Sequence, residues 1–160
     1  MKKAGRILVV DDEESIRNTL SEYFTVIGYE VVEAGDREDA LRKFFPGKFD
    51  CVISDLSMPA IDGLELLRRI RLLDADVCFL IITGFPGIDS AISAMKEGAY
   101  DYLTKPFHME DIQLKVEGAL KVRKTGMSLK KVKSLILTLI IVIPVLISLG
   151  IIFGIFWKGV

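Results

Sequence analysis

The chain has 160 residues and a formal net charge of −1, enough for one ordinary domain and an appendage. The mean hydropathy of +0.40 is high for a chain in which 27% of the residues are charged. The apolar residues are concentrated in the 23 residues from Leu135 to Trp157, which carry no charge. All 22 acidic residues lie at or before Glu117, and a single histidine with two cysteines (Cys51 and Cys78) excludes both a zinc cluster and a disulfide framework.

Short apolar runs alternate with helical patterns over residues 6–122. Apolar runs of four to six residues between helices are typical of buried parallel strands. Five such β-α units predict an α/β, doubly wound, three-layer fold with a five-stranded parallel sheet. Asp36 is predicted to cap the second helix. The predicted strands are Arg6–Val10, Glu30–Glu33, Cys51–Ser54, Val77–Ile82 and Asp101–Leu103, and the predicted helices are Glu14–Ile27, Arg37–Phe45, Leu64–Leu72, Ile88–Lys96 and Glu110–Val122.

Polar residues follow four of the five strands. Asp11 and Asp12 come after the first strand, and Asp55, Thr83 and Lys105 come after the third, fourth and fifth. Ligands of open parallel sheets bind at the carboxyl ends of the strands, where these side chains would meet. Three carboxylates suit Mg²⁺, Lys105 can neutralise a phosphoryl oxygen, and Thr83 can donate a hydrogen bond to another. Asp55 stands alone at its strand end and is the best candidate nucleophile.

Each of these residues also has an ordinary structural explanation. Paired acids at a strand-to-helix junction often serve as first-turn charges, as Glu13 and Glu14 can here. A lone aspartate after a strand is often a turn residue. The occurrence of all of them at strand ends of one sheet favours a site for a cation and a phosphoryl group.

The motifs at these positions resemble the response-regulator receiver (CheY-like) domains of two-component systems over about residues 4–124. The stretch from Gly84 to Phe107, which includes residues 94–102, is most similar to receivers of NtrC-like transcription activators. The resemblance implies a flavodoxin-like fold with strand order 2-1-3-4-5. The matching motifs are Leu8-Val9-Val10-Asp11-Asp12-Glu13, Asp55-Leu56-Ser57-Met58-Pro59 with Asp62-Gly63, Thr83-Gly84, and Tyr102-Leu103-Thr104-Lys105-Pro106-Phe107.

The resemblance also implies roles for individual residues. Asp55 would accept a phosphoryl group from a sensor histidine kinase, and Lys105, before a cis proline bond, would pair with that group. The implied Mg²⁺ ligands are Asp11, Asp12, Asp55 and the backbone carbonyl of Ser57.

Two residues are implied as a switch. Thr83 would move toward the phosphoryl oxygen and Tyr102 would move inward, which would repack the face formed by helix 4, strand 5 and helix 5. That face would contact a partner or a second copy of the chain. The protein would then be a phosphoacceptor, with self-catalysed phosphorylation and dephosphorylation only, and not an enzyme acting on a separate substrate.

The carboxyl-terminal segment predicts a single membrane-spanning helix. Residues 135–157 would span about 34 Å as a helix, enough to cross a hydrocarbon core of about 30 Å. A buried core helix is excluded by the length and uniform apolarity of the segment. The basic residues before it place the receiver in the cytoplasm of a bacterial or archaeal cell. Gly150 and Gly154 form a GxxxG pattern that could pair two helices.

The predicted organisation is a receiver at 1–124, a basic juxtamembrane linker at 125–134, a transmembrane helix at 135–157 and a short tail at 158–160. No Walker-type loop or recognition helix follows residue 124, so no nucleic-acid partner is predicted. The main hypothesis is a membrane-tethered receiver that controls a partner, and a membrane protein is a candidate for that partner. A phosphate sink and a phosphorylation-independent membrane scaffold are alternatives. A haloacid-dehalogenase-type phosphatase is disfavoured because it needs an Asp-x-Asp pattern, whereas Asp11 and Asp12 are adjacent.

Overall fold

The computed structural model describes residues 4–58 and 61–126, together with Thr138. The predicted transmembrane helix at 135–157 lies outside the described residues except for Thr138, as do Gly150, Gly154 and the tail at 158–160. Among the described residues, no helix has both the length and the apolarity needed to cross a membrane. The chain divides into two units after Arg123, and the fold below is that of the first, Met1–Arg123.

Five parallel strands form one sheet, as predicted. Their spatial order is β2-β1-β3-β4-β5, which confirms the expected flavodoxin-like arrangement. Every neighbouring pair is parallel, and helices connect consecutive strands. The strands are β1 (Arg6–Val10), β2 (Glu30–Ala34), β3 (Cys51–Asp55), β4 (Cys78–Thr83) and β5 (Asp101–Thr104).

Five helices cover the two faces of this sheet. Asp36 caps the second helix as predicted, because its Oδ1 atom accepts the Asp39 N–H at 2.7 Å. A short antiparallel ladder between Ser57–Met58 and Ile61–Asp62, which the sequence did not predict, follows β3. The helices are α1 (Glu14–Val26), α2 (Arg37–Lys43), α3 (Gly63–Leu73), α4 (Ile88–Lys96) and α5 over residues 109–126.

The core consists of two apolar layers, one on each face of the sheet. Alternate residues of a strand point to opposite faces, so Leu8 packs with α2, α3 and α4 whereas Ile7 packs with α1 and α5. Cys51 and Cys78 are buried free thiols in the second layer, as predicted. Burial on both faces explains why the strands are continuous apolar runs.

Several element ends differ from the prediction. Helix α2 ends at Lys43, two residues before the predicted Phe45, because Phe44 adopts an extended backbone and stacks on Phe49 with ring centroids 5.6 Å apart. Strand β3 continues through Asp55 and β4 through Thr83. These two polar residues therefore belong to the strands, where backbone pairing holds them in place.

Candidate functional site

The site is a cleft of about 450 Å³ at the carboxyl ends of the strands. Strands β1 and β3 are neighbours with Val10 opposite Ser54, so the residues that follow, Asp11 and Asp55, lie side by side. The side chain of Asp55 is only 6% exposed and that of Asp11 only 3% exposed. The cleft is lined by Asp12, Glu13, Asp55, Ser57, Gly84, Phe85 and Lys105.

Lys105 reaches the buried acids from the fifth strand. Its Nζ atom donates to Asp55 Oδ2 at 2.7 Å and to Asp11 Oδ2 at 2.9 Å, and it lies 3.3 Å from Glu13 Oε1. The peptide bond between Lys105 and Pro106 is cis, as the resemblance implied. The Lys105 N–H donates to the Thr83 carbonyl at 2.7 Å, which ties this loop to the end of β4.

The ion pairs and burial shift the protonation equilibria of this cluster. Burial alone would lower the pKa of Lys105, but its hydrogen bonds to Asp55 and Asp11 and their negative charges outweigh burial and raise the pKa well above its ordinary value. Burial also raises the pKa of Asp11, and the hydrogen bonds from Lys105 and the Glu13 N–H offset only part of that effect. Lys105 is therefore fully charged at neutral pH.

Backbone N–H groups orient the two buried carboxylates. Asp11 Oδ1 accepts the Glu13 N–H at 2.9 Å, and Asp55 Oδ1 accepts the Ser57 N–H at 2.9 Å. One carboxylate oxygen from each of Asp11, Asp12 and Asp55 lies within 4.8 Å of the others. Oxygen ligands at this spacing suit a hard divalent cation, so the donor set fits the Mg²⁺ that the sequence predicted.

The two predicted switch residues occupy neighbouring strands. Thr83 is fully buried, its Oγ1 lies 3.3 Å from Ser57 Oγ, and it accepts the Phe85 N–H at 3.2 Å. Tyr102 is half-buried against the layer formed by α2, α3 and α4. Its hydroxyl oxygen lies 3.2 Å from Ser90 Oγ in the first turn of α4. The Thr83 hydroxyl group therefore contacts residues of the cleft, whereas the Tyr102 hydroxyl group contacts α4.

Arg17, which the sequence analysis left out, supports the acidic loop. Arg17 Nη1 donates to the carbonyl oxygens of Asp11 at 2.7 Å and Asp12 at 3.1 Å, so it fixes the backbone between β1 and α1. Its place on the inner face of α1 is the signal that could have found it, since an arginine five and six residues after two acids can fold back on their loop. Glu13, considered only as a first-turn charge, also contacts Lys105.

Gly63 permits the close approach of α3 to the end of β3. An ideal Cβ at this position would lie 2.5 Å from the Asp55 carbonyl oxygen and 2.7 Å from Leu56 Cα. The Gly63 N–H donates to the Leu56 carbonyl at 3.0 Å. Only a residue without a side chain fits there, which explains the Asp62-Gly63 pair that follows the Asp55 motif.

Comparisons with known proteins agree with this geometry. The family model "Response regulator receiver domain" matches residues 7–117. The regulatory protein AtoC of Escherichia coli is 33% identical over 123 residues, covering 77% of this chain and 27% of AtoC. The transcriptional regulatory protein FixJ of Bradyrhizobium diazoefficiens is 36% identical over 122 residues, covering 76% of this chain and 59% of FixJ. This chain thus spans only part of the length of these relatives.

Solved structures show the same fold. A response regulator receiver domain protein from Clostridium thermocellum superposes with a TM-score of 0.71 at 35% identity, covering 75% of this chain and 97% of that one. NtrX from Brucella abortus superposes with a TM-score of 0.74 at 31% identity, covering 81% of this chain and 30% of NtrX. The family match, the strand order and the acidic cleft agree, and the chain belongs to the response regulator receiver domain family of two-component systems.

Proposed function

We propose that this protein is a Mg²⁺-dependent phosphoacceptor in which Asp55 receives a phosphoryl group from a sensor histidine kinase. The observation that carries the proposal is the position of Asp55, nearly buried in a cleft beside Asp11 and bonded to Lys105. A carboxylate that must meet a phosphoryl group needs this combination of acids and a fixed cation.

Asp11, Asp12, Asp55 and the backbone carbonyl of Ser57 would hold the Mg²⁺. When bound, the cation supplies the positive charge that allows a carboxylate and a phosphoryl group to approach each other. The three carboxylates would otherwise repel the incoming phosphoryl group, and Lys105 alone offsets only one of their charges.

The residues of the chain supply the remaining chemistry. A carboxylate oxygen of Asp55 attacks phosphorus, the phosphorus–nitrogen bond of the kinase phosphohistidine breaks, and the released imidazole nitrogen takes up a proton. The Ser57 N–H holds Asp55 Oδ1, which orients the carboxylate. Lys105 is positioned to pair with the transferred group and Thr83 to donate to it. The activity is thus phosphoryl acceptance and self-catalysed loss, without a separate substrate.

Phosphorylation would act on a partner through the face formed by α4, β5 and α5. Thr83 would exchange its contact with Ser57 for the phosphoryl oxygen, and Tyr102 would move inward, away from Ser90. Exposed apolar side chains on this face, among them Ile88 and Leu114, suit a partner protein or a second copy of the chain. A phosphate sink would use the same site without this contact.

The carboxyl-terminal sequence supports a membrane tether for this module. Residues 135–157 carry no charge, and six basic residues lie between Lys121 and Lys133. We expect a single-pass helix in a bacterial or archaeal cell membrane with the receiver in the cytoplasm, where histidine kinases act. The regulatory protein AtoC and the transcriptional regulatory protein FixJ are covered over only 27% and 59% of their lengths, and we propose no nucleic-acid partner for this chain.

The phosphoacceptor proposal is tested by phosphoryl transfer from acetyl phosphate. The purified full chain in detergent is incubated with the donor and Mg²⁺, and incorporation is followed by intact-protein mass spectrometry. We expect one added phosphoryl group in the wild type and in Asp89→Asn, an exposed acid outside the cleft, and none in Asp55→Asn. Equal labelling of Asp55→Asn and wild type would refute the assignment.

The tether is tested separately by carbonate extraction of membranes from expressing cells. An integral helix keeps the protein in the pellet at alkaline pH, whereas release into the supernatant would refute the anchor.

A further inference from the structure

Glu13 is an acid of the cleft that is neither one of the proposed Mg²⁺ ligands nor a cap of its own helix. It occupies the N-cap position of α1, yet its side chain makes no capping hydrogen bond. Glutamate is not among the residue types preferred at an N-cap. The side chain extends into the cleft instead, where its Oε1 atom lies 3.3 Å from Lys105 Nζ. The local helix therefore does not explain where this carboxylate lies.

Glu13 and Asp55 lie at different depths of the same cleft. Lys105 Nζ contacts both Glu13 Oε1 and Asp55 Oδ2, the latter at 2.7 Å, so a single ammonium group separates the two carboxylates. The side chain of Glu13 is 58% exposed, whereas that of Asp55 is 6% exposed. Asp55 therefore forms the floor of the cleft, and Glu13 lies at its opening to solvent.

Loss of the phosphoryl group from Asp55 requires a water molecule on the open side of the cleft. The attacking and leaving oxygen atoms lie roughly in line through phosphorus, so the water approaches from the side away from Asp55. The bond between phosphorus and the Asp55 oxygen breaks, and its electron pair stays on the carboxylate. Both protons of the water end on the released phosphate. Because Asp55 forms the floor, this water lies at the level of Glu13.

Among the described residues that line the cleft, Glu13 is the acceptor that remains for this water. Asp12 and Asp55 belong to the proposed Mg²⁺ site, and Lys105 can only donate. The Ser57 hydroxyl group already contacts a second hydroxyl group at 3.3 Å. A carboxylate accepts strong hydrogen bonds from water, because its charge assists them. The remaining lining residues, which carry no side-chain acceptor, are Gly84 and Phe85.

We propose that Glu13 positions the water that removes the phosphoryl group from Asp55. The inference rests on the phosphoacceptor function proposed above, and it adds a residue that sets how long the phosphoryl group remains. Glu13 accepts a hydrogen bond from the water, which turns a lone pair of the water oxygen toward phosphorus. In a loose transition state the nucleophile needs orientation more than deprotonation, so Glu13 itself takes up no proton.

The decay of the phosphorylated full chain tests this role. The protein in detergent is labelled with acetyl phosphate and Mg²⁺, the donor is removed by desalting, and the loss is followed by intact-protein mass spectrometry. We expect Glu13→Leu to keep the phosphoryl group about tenfold longer than wild type, because the water is no longer oriented. Glu13→Gln keeps an acceptor oxygen and should fall between the two. Glu14→Leu, which removes the exposed acid next to it in the first turn of α1, should decay like wild type.

The rate of labelling separates water positioning from changes of charge or structure. Glu13→Gln and Glu13→Leu carry the same charge, and attack of Asp55 on the donor involves no water. The two variants should therefore be labelled at the same rate and differ only in decay. Equal decay of these two variants would assign the effect to charge and overturn the proposal. Labelling and decay that slow in parallel in Glu13→Leu would indicate a distorted site and overturn it as well.

The remaining failures are distinguishable from one another. A labelled Glu13→Leu that decays like wild type refutes the role of Glu13 and leaves Asp55 as the phosphoacceptor. Wild-type protein that takes up no phosphoryl group refutes the proposed function, and the role of Glu13 with it.

Discussion

Replacing Gly63 with alanine tests the close contact between α3 and the end of β3. The added Cβ would lie 2.5 Å from the Asp55 carbonyl oxygen and 2.7 Å from Leu56 Cα. Ordinary carbon contacts are about 3.5–4.0 Å, so one of the two segments must move by about 1 Å. Both contacted atoms belong to the backbone, and no side-chain rotation can relieve the overlap. Overpacking of this kind costs about 1–3 kcal/mol of unfolding free energy.

Urea unfolding of residues 1–126 provides the measurement, since the receiver domain protein from Clostridium thermocellum covers 75% of this chain with 97% of its own. With an m-value of about 1–3 kcal/mol/M, the midpoint of Gly63→Ala should fall by about 1 M. The matched control is Gly35→Ala, whose Cβ would lie 3.7 Å from Arg17 Nη1, an ordinary contact. Equal midpoints for the two variants would refute the close-approach argument.

The same substitution has a chemical consequence. A shift of the Asp55 backbone by about 1 Å displaces the carboxylate from its approach to the phosphoryl donor, and a displacement of that size can cost about 100-fold in rate. Phosphorylation of Gly63→Ala by acetyl phosphate should therefore slow by at least tenfold, measured under conditions in which the variant is fully folded. An unchanged rate would show that the position of Asp55 does not depend on Gly63.

Further predictions concern the acidic cluster. Because burial raises the pKa of folded Asp11, ionisation of this carboxyl group lowers the stability of the protein as the pH rises through that pKa. At pH 7 without Mg²⁺, Asp11→Asn should therefore unfold at a higher urea concentration than wild type. A difference between the two urea midpoints that does not shrink as the pH falls toward 4 would contradict this. Arg17→Met frees the backbone of Asp11 and Asp12, so it should raise the Mg²⁺ concentration for half-maximal phosphorylation about tenfold, whereas Arg37→Met should not, since Arg37 pairs with an exposed glutamate. Mg²⁺ should raise the thermal midpoint of Lys105→Met by more than it raises that of wild type, because the cation replaces the lost ammonium group beside Asp11 and Asp55. An equal rise in variant and wild type would argue against charge balance as the role of Lys105.

Most of the fold could be predicted because the strands are buried on both faces. Continuous apolar runs such as Ile7–Val10 have no other explanation when helical patterns separate them, and parallel topology then follows from the order of the elements. Strand ends were less predictable. Whether Asp55 and Thr83 belong to their strands depends on backbone pairing with neighbouring strands, and the local sequence carries no information on that pairing. Asp55, for example, lies opposite Ile82, and the Leu56 N–H donates to the Ile82 carbonyl at 3.0 Å.

The candidate site divides in the same way. Asp11, Asp12, Asp55, Thr83 and Lys105 were predicted because the carboxyl ends of parallel strands meet at one edge. The supporting contacts were not, since they depend on distances between side chains and remote backbone. A sequence pattern carries no measure of how near α3 approaches β3, or of which hydroxyl group faces Tyr102.

The sequence by itself therefore determined the class of the fold, the residues at the strand ends and the family to which they belong. The fold class and the strand-end residues follow from periodicity and chain order, and the family follows from the resemblance of the motifs at those positions. The tertiary structure alone decided that Lys105 bridges Asp11 and Asp55, that Arg17 supports the acidic loop, and that Ser90 contacts Tyr102. These contacts join segments up to 94 residues apart, and their geometry exists only once the core has packed.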